Sequence, residues 1–380
     1  MKNTYIKKVQ EVVQNTSRRI ATLSEFDSKE RLNFLRFKSA INFLYPEIEP
    51  TRDFYNQYLL NRELSNLEIN YVHQLEKNGF SQIEGKENLN NNAIYCSYHM
   101  GSYISISYYL VRNNIDFSIV IGADDFDEKE KMFMDSYYKA LETLGNSTSK
   151  MDLINGQSKN AIISMVKKIK KGHSLLFYID GSKGVKEFTP DDDNLIKVNF
   201  FDSQLFSRKG ISFLSHYLKT PIIPALSYRE SNDSIRVKFL EAITPYGERE
   251  TYCAEATQEI WNVFSKHFEQ YPMQWESIYY MHQFRAYPNA HETDTLSTDE
   301  TYVFNSNRYD FYSIKQGKAV FDNYRGKSIQ LPNGYLDFLY KLHSKNIALD
   351  GHYIEDLIKN KDSINALFSN EFLVNHKVAV

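Results

Sequence analysis

The sequence predicts an α/β protein whose mostly parallel sheet is flanked by helices, with a helical N-terminal region and a small C-terminal α+β domain. Three observations support this prediction. Before residue 77, apolar residues recur at helical intervals, as in "KERLNFLRFKSAINFLYPEI". From Phe80 onwards, short apolar runs alternate with helical patterns, which is typical of parallel strands joined by crossovers. After residue 308, short segments with turns at Gly317 and Gly326 predict antiparallel strands.

The central part contains the clearest alternation of strands and helices. Its strand-like runs include "AIYCSYH", "DFSIVIGAD", "HSLLFYID" and "PIIPALSYR". Helical patterns lie between these runs, and Gly145 and Gly172 are suited to end two of the helices. The polar, turn-rich "YPNAHETDTLSTDET" predicts a linker. The expected organisation is a helical region over 1–79, an α/β domain over 80–285, a linker over 286–308 and a small domain over 309–380.

Composition bounds the classes of function. The 380 residues are 42% hydrophobic and 24% charged, which is typical of a globular protein. A net charge of -3 gives no general attraction to nucleic acid, so no nucleic-acid partner is expected. The two cysteines, Cys96 and Cys253, exclude a disulfide scaffold and a cysteine-rich zinc site, and no metal site is predicted. Charges interrupt every apolar run, so we expect a cytoplasmic protein, with membrane contact peripheral at most, on the inner face of the cell membrane.

A histidine lies at the end of the first buried strand. In "AIYCSYHMGSY" the apolar run ends at His99, and Gly101 follows. One interpretation is a partly buried polar residue that hydrogen-bonds to nearby backbone; the other is a general base, because neutral imidazole can take a proton near pH 7. Asp180 lies at the end of another predicted strand. Ligands bind beyond the carboxyl ends of parallel strands, so we expect His99 and Asp180 to share a cleft.

The order of several segments resembles that of a known family. These segments are "IEGKENL", "AIYCSYHMGSY", "GHSLLFYIDGSKG", "VNFFDSQLFSRKG", "PIIPALSYR" and "YPMQWESIYYMHQF". From about Glu30 to Phe284 the chain resembles the lipid A late acyltransferases of the lysophospholipid acyltransferase superfamily. Pro272, Gln274 and Trp275 match a Pro-Glu-Gln-Trp element of that family. The resemblance implies a bacterial protein with a glycerolipid acyltransferase-like fold. It also implies acyl transfer from acyl carrier protein or acyl-CoA, used as a co-substrate with no other cofactor, to a hydroxyl.

One residue departs from the family pattern. The family signature is a histidine, four residues, then Asp or Glu; the histidine deprotonates the acceptor and the carboxylate orients the imidazole. Counting from His99, the acid position holds Ile104. The chain has therefore lost the chemistry, relocated the acid, or uses an amine acceptor, which needs less activation. Asp180, Asp124 and Asp125 are candidates for a relocated acid, and each could equally cap a turn or helix. Asp180 is favoured because its loop matches a family segment.

Six further residues are predicted to bind substrate. They are Gly101, Ser102, Lys183, Arg208, Lys209 and Arg229. The resemblance implies that the four basic side chains hold phosphates of the donor or acceptor, since arginine binds phosphate through two parallel hydrogen bonds and lysine supplies a point charge. The alternative for each basic residue is a solvated surface charge.

The C-terminal part carries a second, weaker resemblance. From about Tyr309 to Val374 it is similar to the small winged-helix domain that binds leader peptides in ribosomally made peptide pathways. There the peptide adds as a strand to an exposed sheet edge. This implies a peptide partner; the alternative is a packing extension specific to this protein.

Two functions compete on the sequence alone. The first is an acyltransferase that moves a fatty acyl group to a hydroxyl or amine acceptor, with His99 as general base. The second is a catalytically inactive relative that binds an acyl chain, a carrier protein or a peptide. Ile104 favours the second, whereas the presence of His99, Asp180 and the "PMQW" element favours the first.

Overall fold

The computed structural model describes residues 2–21, 28–46, 49–122, 126–181, 192–286, 296–315, 317–358 and 360–377. The α-helices are α1 (Lys2–Ala21), α2 (Ser28–Leu44), α3 (Arg52–Glu68), α4 (Val72–Leu75), α5 (Ile104–Arg112), α6 (Phe126–Leu144), α7 (Ala161–Lys170), α8 (Gly210–Leu218), α9 (Arg249–Gln270), α10 (Asn333–Ser344), α11 (Gly351–Leu357) and α12 (Lys361–Ser369). Short 3-10 helices span Lys86–Asn88, Pro272–Gln274 and Glu276–Gln283.

The strands are β1 (Ser81–Glu84), β2 (Ile94–Ser97), β3 (Phe117–Ile121), β4 (Met151–Asn155), β5 (Ser174–Tyr178), β6 (Leu195–Phe200), β7 (Ser203–Arg208), β8 (Ile222–Ser231), β9 (Ser234–Phe239), β10 (Thr301–Phe304), β11 (Tyr309–Ile314), β12 (Gly317–Asp322), β13 (Lys327–Ile329), β14 (Leu349–Asp350) and β15 (Leu373–Asn375). The chain divides into two compact units, Met1–Ala21 with Thr51–Ala286, and Thr22–Pro50 with Tyr287–Val380.

A seven-stranded sheet in the order β1-β9-β8-β2-β5-β3-β4 forms the centre of the first unit. All neighbouring strands in it are parallel except β8 and β9. The four residues of β2 are completely buried, because helices cover both faces of a parallel sheet and β2 pairs with a strand on each side. The predicted α/β class, with a mostly parallel sheet flanked by helices, is confirmed.

Apolar residues of the central strands and the helices around them form the core of the first unit. Tyr95 of β2, Ile119 of β3 and Tyr109 of α5 belong to one buried cluster, which Tyr5 and Val9 of α1 join from the N-terminal region. A separate hairpin of β6 and β7 leads directly into α8. That hairpin therefore positions the residues at the start of α8. In the described part of the chain, every helix is too short or too polar to cross a bilayer.

The second unit contains two small antiparallel sheets, β14-β10-β15 and β11-β12-β13. Residues of these sheets and of α10, α11 and α12 share a second buried cluster. The small antiparallel sheets agree with the predicted α+β character of the C-terminal region. The peptide partner inferred from the winged-helix resemblance stays a prediction.

The structure divides the chain differently from the sequence in two places. Helix α2 was expected within the 1–79 region, but Leu35 packs against Tyr312 and Phe321 in the second unit, since an apolar helix face does not reveal its partner. Strand β10 lies inside the predicted 286–308 linker. Tyr302 and Phe304 of β10 are buried in the apolar cluster of the second unit, and this burial stabilises the strand although the residues before it are polar.

Candidate active site

The ends of two neighbouring strands bring His99 and Asp180 together. Strands β2 and β5 pair in parallel with Ser97 opposite Tyr178. His99 and Asp180 each follow two residues beyond that pair, so they leave the same edge of the sheet side by side. Residues that are 81 positions apart in sequence thus become neighbours.

His99 and Asp180 are joined by three hydrogen bonds. The imidazole Nδ1 lies 2.9 Å from Oδ1 of Asp180. The backbone N–H of His99 also donates to Oδ1 at 3.1 Å and to Oδ2 at 3.0 Å. A carboxylate only accepts, so Nδ1 carries a proton, and in the neutral ring the lone pair is on Nε2. Asp180 is fully buried, whereas 27% of the His99 side chain is exposed. The imidazole is therefore held from one side and open on the other.

The pair shifts both pKa values in opposite directions. Burial lowers the pKa of the His99 imidazole, but the charge and hydrogen bond of Asp180 outweigh it, and the pKa lies above the ordinary histidine value. Burial raises the pKa of Asp180, but the charge of His99 and the hydrogen bonds from His99 and Trp275 outweigh it, and the pKa lies below the ordinary aspartate value. Asp180 is therefore ionised at neutral pH and favours a protonated imidazole.

The "PMQW" element fixes the second oxygen of Asp180. The indole Nε1–H of Trp275 donates to Oδ2 at 2.6 Å. The fully buried indole packs against an aromatic cluster, with ring centroids 5.0 Å from Phe264 and 5.1 Å from Phe268. Two residues after Trp275, the Ser277 hydroxyl donates to the Asp180 carbonyl at 2.9 Å. The sequence singled out Trp275 but gave no sign of this contact.

The same segment also supports the backbone around His99. The Gly101 N–H donates to the Gln274 carbonyl at 3.1 Å, and the Glu276 N–H donates to the His99 carbonyl at 2.8 Å. The Gln274 side chain completes the arrangement on β8, where its amide donates to the Arg229 carbonyl and its oxygen accepts from the Arg229 N–H, both at 2.7 Å. Residues 274–276 thus tie the loop after β2 to β8.

Gly101 serves the backbone of this site. Its φ is +57°, and a Cβ there would lie 2.5 Å from the Ser227 carbonyl oxygen of β8. Gly101 was predicted to bind substrate. It has no side chain with which to do so, and its N–H already donates to the Gln274 carbonyl. Ser102, also predicted to bind substrate, is fully buried, and its hydroxyl lies 2.8 Å from that of Ser105. A small residue there allows the first turn of α5 to pack closely.

Gly101→Ala is expected to destabilise the protein by more than the about 1–2 kcal/mol that a left-handed conformation costs an L-residue, because the methyl group would also clash with β8. Gly145→Ala is the matched control: Gly145 has φ +68° and open space where a Cβ would lie. Denaturant unfolding of both variants measures the difference. Equal losses of unfolding free energy would show that the approach of β8 to Gly101 is not restrictive.

Ile104 begins α5 and is 2% exposed within the main apolar cluster. The position at which the family carries its acid therefore contributes to packing. The imidazole instead contacts the carboxylate of Asp180, which lies two residues after the end of β5. Asp124 and Asp125, the other candidates for a relocated acid, lie outside the described residues, as does Lys183.

His99 faces a cleft of about 830 Å³. Of the four basic residues predicted to bind substrate, Arg208 and Lys209 line this cleft, at the junction of β7 and α8. The Lys209 ammonium also lies 3.2 Å from Glu250, which pairs with Arg249 at 3.0 Å. Apolar residues form much of the remaining wall; they include Val120, Ile162, Met165, Phe177, Ile211, Phe213 and Leu214.

Arg229 does not line the cleft and is instead 2% exposed in a buried ion pair. Its guanidinium donates to Glu68 through Nε at 3.1 Å and Nη2 at 2.5 Å. Further contacts reach Ser65 at 3.2 Å and Asn61 at 3.4 Å. The predicted phosphate-binding role is therefore not supported by its position, because Glu68 of α3 already occupies the planar fork. The partner lies 161 positions away, and no local pattern of residues indicates it.

Sequence reasoning also missed residues that line the cleft. Glu276, Lys129, Tyr178 and Arg249 are among them. Glu276 directly follows the "PMQW" element, which was the available signal. Within the described residues, no three His, Cys, Asp or Glu side chains come together in an arrangement that could hold a metal ion.

No protein-family model and no curated protein sequence matches the chain. Among solved structures, the chain is similar to the 1-acyl-sn-glycerophosphate (LPA) acyltransferase PlsC from Thermotoga maritima. The sequence identity is 14% and the TM-score is 0.32, over 64% of this chain and 96% of that chain.

Proposed function

We propose that the protein is an acyltransferase that moves a fatty acyl group from an acyl carrier protein or acyl-CoA thioester to a hydroxyl or amine acceptor. His99 is the general base and Asp180 the acid that orients it. The observation that carries the proposal is the 2.9 Å contact between Nδ1 of His99 and the buried Asp180 carboxylate, at the wall of a large cleft. This arrangement supports a relocated acid over a lost one.

The geometry supports a specific sequence of proton movements. Asp180 holds the proton on Nδ1, so the Nε2 lone pair takes the proton of the acceptor as its oxygen or nitrogen attacks the thioester carbonyl. The bond from the carbonyl carbon to the acceptor forms, and the carbon–sulfur bond breaks. The imidazolium, stabilised by the Asp180 charge, then gives its proton to the departing thiolate.

The cleft wall has a basic part and an apolar part, which supports separate binding sites for the phosphates and the acyl chain. Arg208 and Lys209 are proposed to bind the phosphates of the thioester donor, since cationic side chains bind phosphate strongly. The apolar wall from α7 and α8 is proposed to take the acyl chain. Such donors are cytoplasmic molecules, so a cytoplasmic location, with membrane contact peripheral at most, is part of the proposal.

His99→Ala is expected to lower acyl transfer by about 10²- to 10⁴-fold, the contribution usual for a positioned general base. The measurement is product formation by mass spectrometry, using a panel of acyl carrier proteins, acyl-CoA thioesters, and hydroxyl and amine acceptors. His352→Ala, at an exposed site in the second unit, is the control and should retain full activity. Equal turnover by His99→Ala and the unaltered protein would refute the proposal.

The competing function is a catalytically inactive relative that binds an acyl chain or carrier protein. It predicts that thioesters bind but that no product forms with either the unaltered protein or His99→Ala. The direct bonding of His99 to Asp180 favours the enzyme, because a binding module has no need of an oriented imidazole.

A further inference from the structure

Glu276 is a second acidic group of the cleft, fixed beside the proposed base. It begins the 3-10 helix Glu276–Gln283, and its N–H donates to the His99 carbonyl at 2.8 Å. Its own carbonyl accepts from the Tyr58 hydroxyl at 3.0 Å. The backbone is thus held on both sides, while the side chain lines the same cleft as His99.

One carboxylate oxygen of Glu276 is left without a partner. Oε1 is buried, and no hydrogen-bond partner for it exists among the described residues. An unsatisfied buried polar atom costs about 1–3 kcal/mol, and a ligand or a water molecule that hydrogen-bonds to it would remove that cost. The other acid of the cleft, Glu250, differs because it is paired with Lys209 and Arg249.

Glu276 is an acidic side chain among several basic ones. Burial raises the pKa of its carboxyl above the ordinary value, while the charges of His99, Arg62 and Arg229 partly oppose that rise. Glu276 in turn contributes to raising the pKa of His99. Arg229 is ion-paired with Glu68 and acts on Glu276 only through its charge. A bound cation would relieve the cost of burying the carboxylate.

We infer that Glu276 binds the amino group of the acceptor through its carboxylate, and that the acceptor is a primary amine. The inference rests on the proposed acyl transfer and narrows its acceptor. A hydroxyl acceptor gives no charge to match a carboxylate at this position, whereas an ammonium ion gives both charge and several N–H donors.

The chemistry of an amine acceptor also requires two proton removals. An ammonium ion loses one proton before it attacks, and we assign that proton to Glu276 and then to water. The nitrogen lone pair forms the carbon–nitrogen bond, the second proton passes to Nε2 of His99, and the carbon–sulfur bond breaks. His99 then protonates the thiolate. Thioester and ammonium thus give amide, thiol and one released proton.

The test uses 2-phenylethylamine and 2-phenylethanol, which differ only in the group that would meet Glu276. Calorimetric titration of the full-length protein should show tighter binding of the amine. Glu276→Gln should weaken amine binding by about 10- to 100-fold, the range for a hydrogen bond to a charged group, and leave alcohol binding unchanged. Glu276→Asp, which keeps the charge, should restore part of the preference. Glu259→Gln, on α9 away from the cleft lining, is the matched control.

Equal binding of both probes, or an amine preference that survives in Glu276→Gln, would overturn the inference. Circular dichroism and unfolding of Glu276→Gln establish that the variant is folded. The two proposals also fail separately. His99-dependent transfer to alcohols only would leave the acyltransferase intact and remove the amine acceptor. A Glu276-dependent amine preference without any transfer would remove the acyltransferase and leave an amine-binding cleft.

Discussion

Asp180→Asn is expected to lower the turnover number for acyl transfer by about 10⁴-fold, or about 5 kcal/mol of barrier, as neutralising the orienting carboxylate does in serine proteases. The amide has no charge to stabilise the imidazolium and does not hold the proton on Nδ1. Thiol release from the thioester, followed over a range of pH, is the measurement.

The pH profile separates orientation from simple loss of fold. Catalysis needs neutral imidazole, so the acid limb of the turnover number follows the pKa of His99, which Asp180 raises. Removing the carboxylate lowers that pKa, so the acid limb of the residual activity should move to lower pH. Asp337→Asn, at an exposed position of α10, should change neither rate nor profile. Residual activity of Asp180→Asn within tenfold of the unaltered protein would show that Asp180 is not the orienting acid.

Arg229→Met is expected to lower the free energy of unfolding by about 3–5 kcal/mol, the usual cost of removing one partner of a buried ion pair. Glu68 is completely buried and would keep an uncompensated charge. Denaturant unfolding gives the loss. Combining Arg229→Met with Glu68→Leu should recover most of it, because a buried pair and a well-packed apolar pair are often similar in stability.

A surface pair provides the comparison for Arg229. Arg19 and Glu63 lie 3.5 Å apart with both side chains more than 40% exposed, so Arg19→Met should cost less than about 1 kcal/mol. If Arg229→Met left stability unchanged and instead raised KM for the thioester, the phosphate-binding role implied by the family resemblance would be correct and the structural role wrong.

The sequence could predict features that depend on local pattern or on the edge of a parallel sheet. The alternation of strands and helices identified the α/β class, and the ends of two strands identified His99 and Asp180 as neighbours, although only His99 lines the cleft. It could not predict that β2 and β5 lie next to each other, because strand order depends on packing between distant segments. That adjacency brings Asp180 to the imidazole.

Long-range partners account for the other differences. Arg229 follows a strand-like run, so its position suggested the cleft, but the carboxylate that occupies it comes from α3. Helix α2 shows an apolar face without revealing that Tyr312 and Phe321 cover it. Glu276 has no local pattern that marks a buried, unpartnered oxygen. Each of these facts is created by the fold and not by the neighbouring residues.

The proposed base and the proposed acid both lie just beyond the ends of strands of the same sheet. His99 and Asp180 follow the hydrogen-bonded neighbouring strands β2 and β5, and Ile104 at the start of α5 is buried in the apolar core. We therefore expect the distance between the imidazole and the carboxylate to depend on the pairing of β2 with β5 and on the Trp275 contact, and not on an acidic residue of α5.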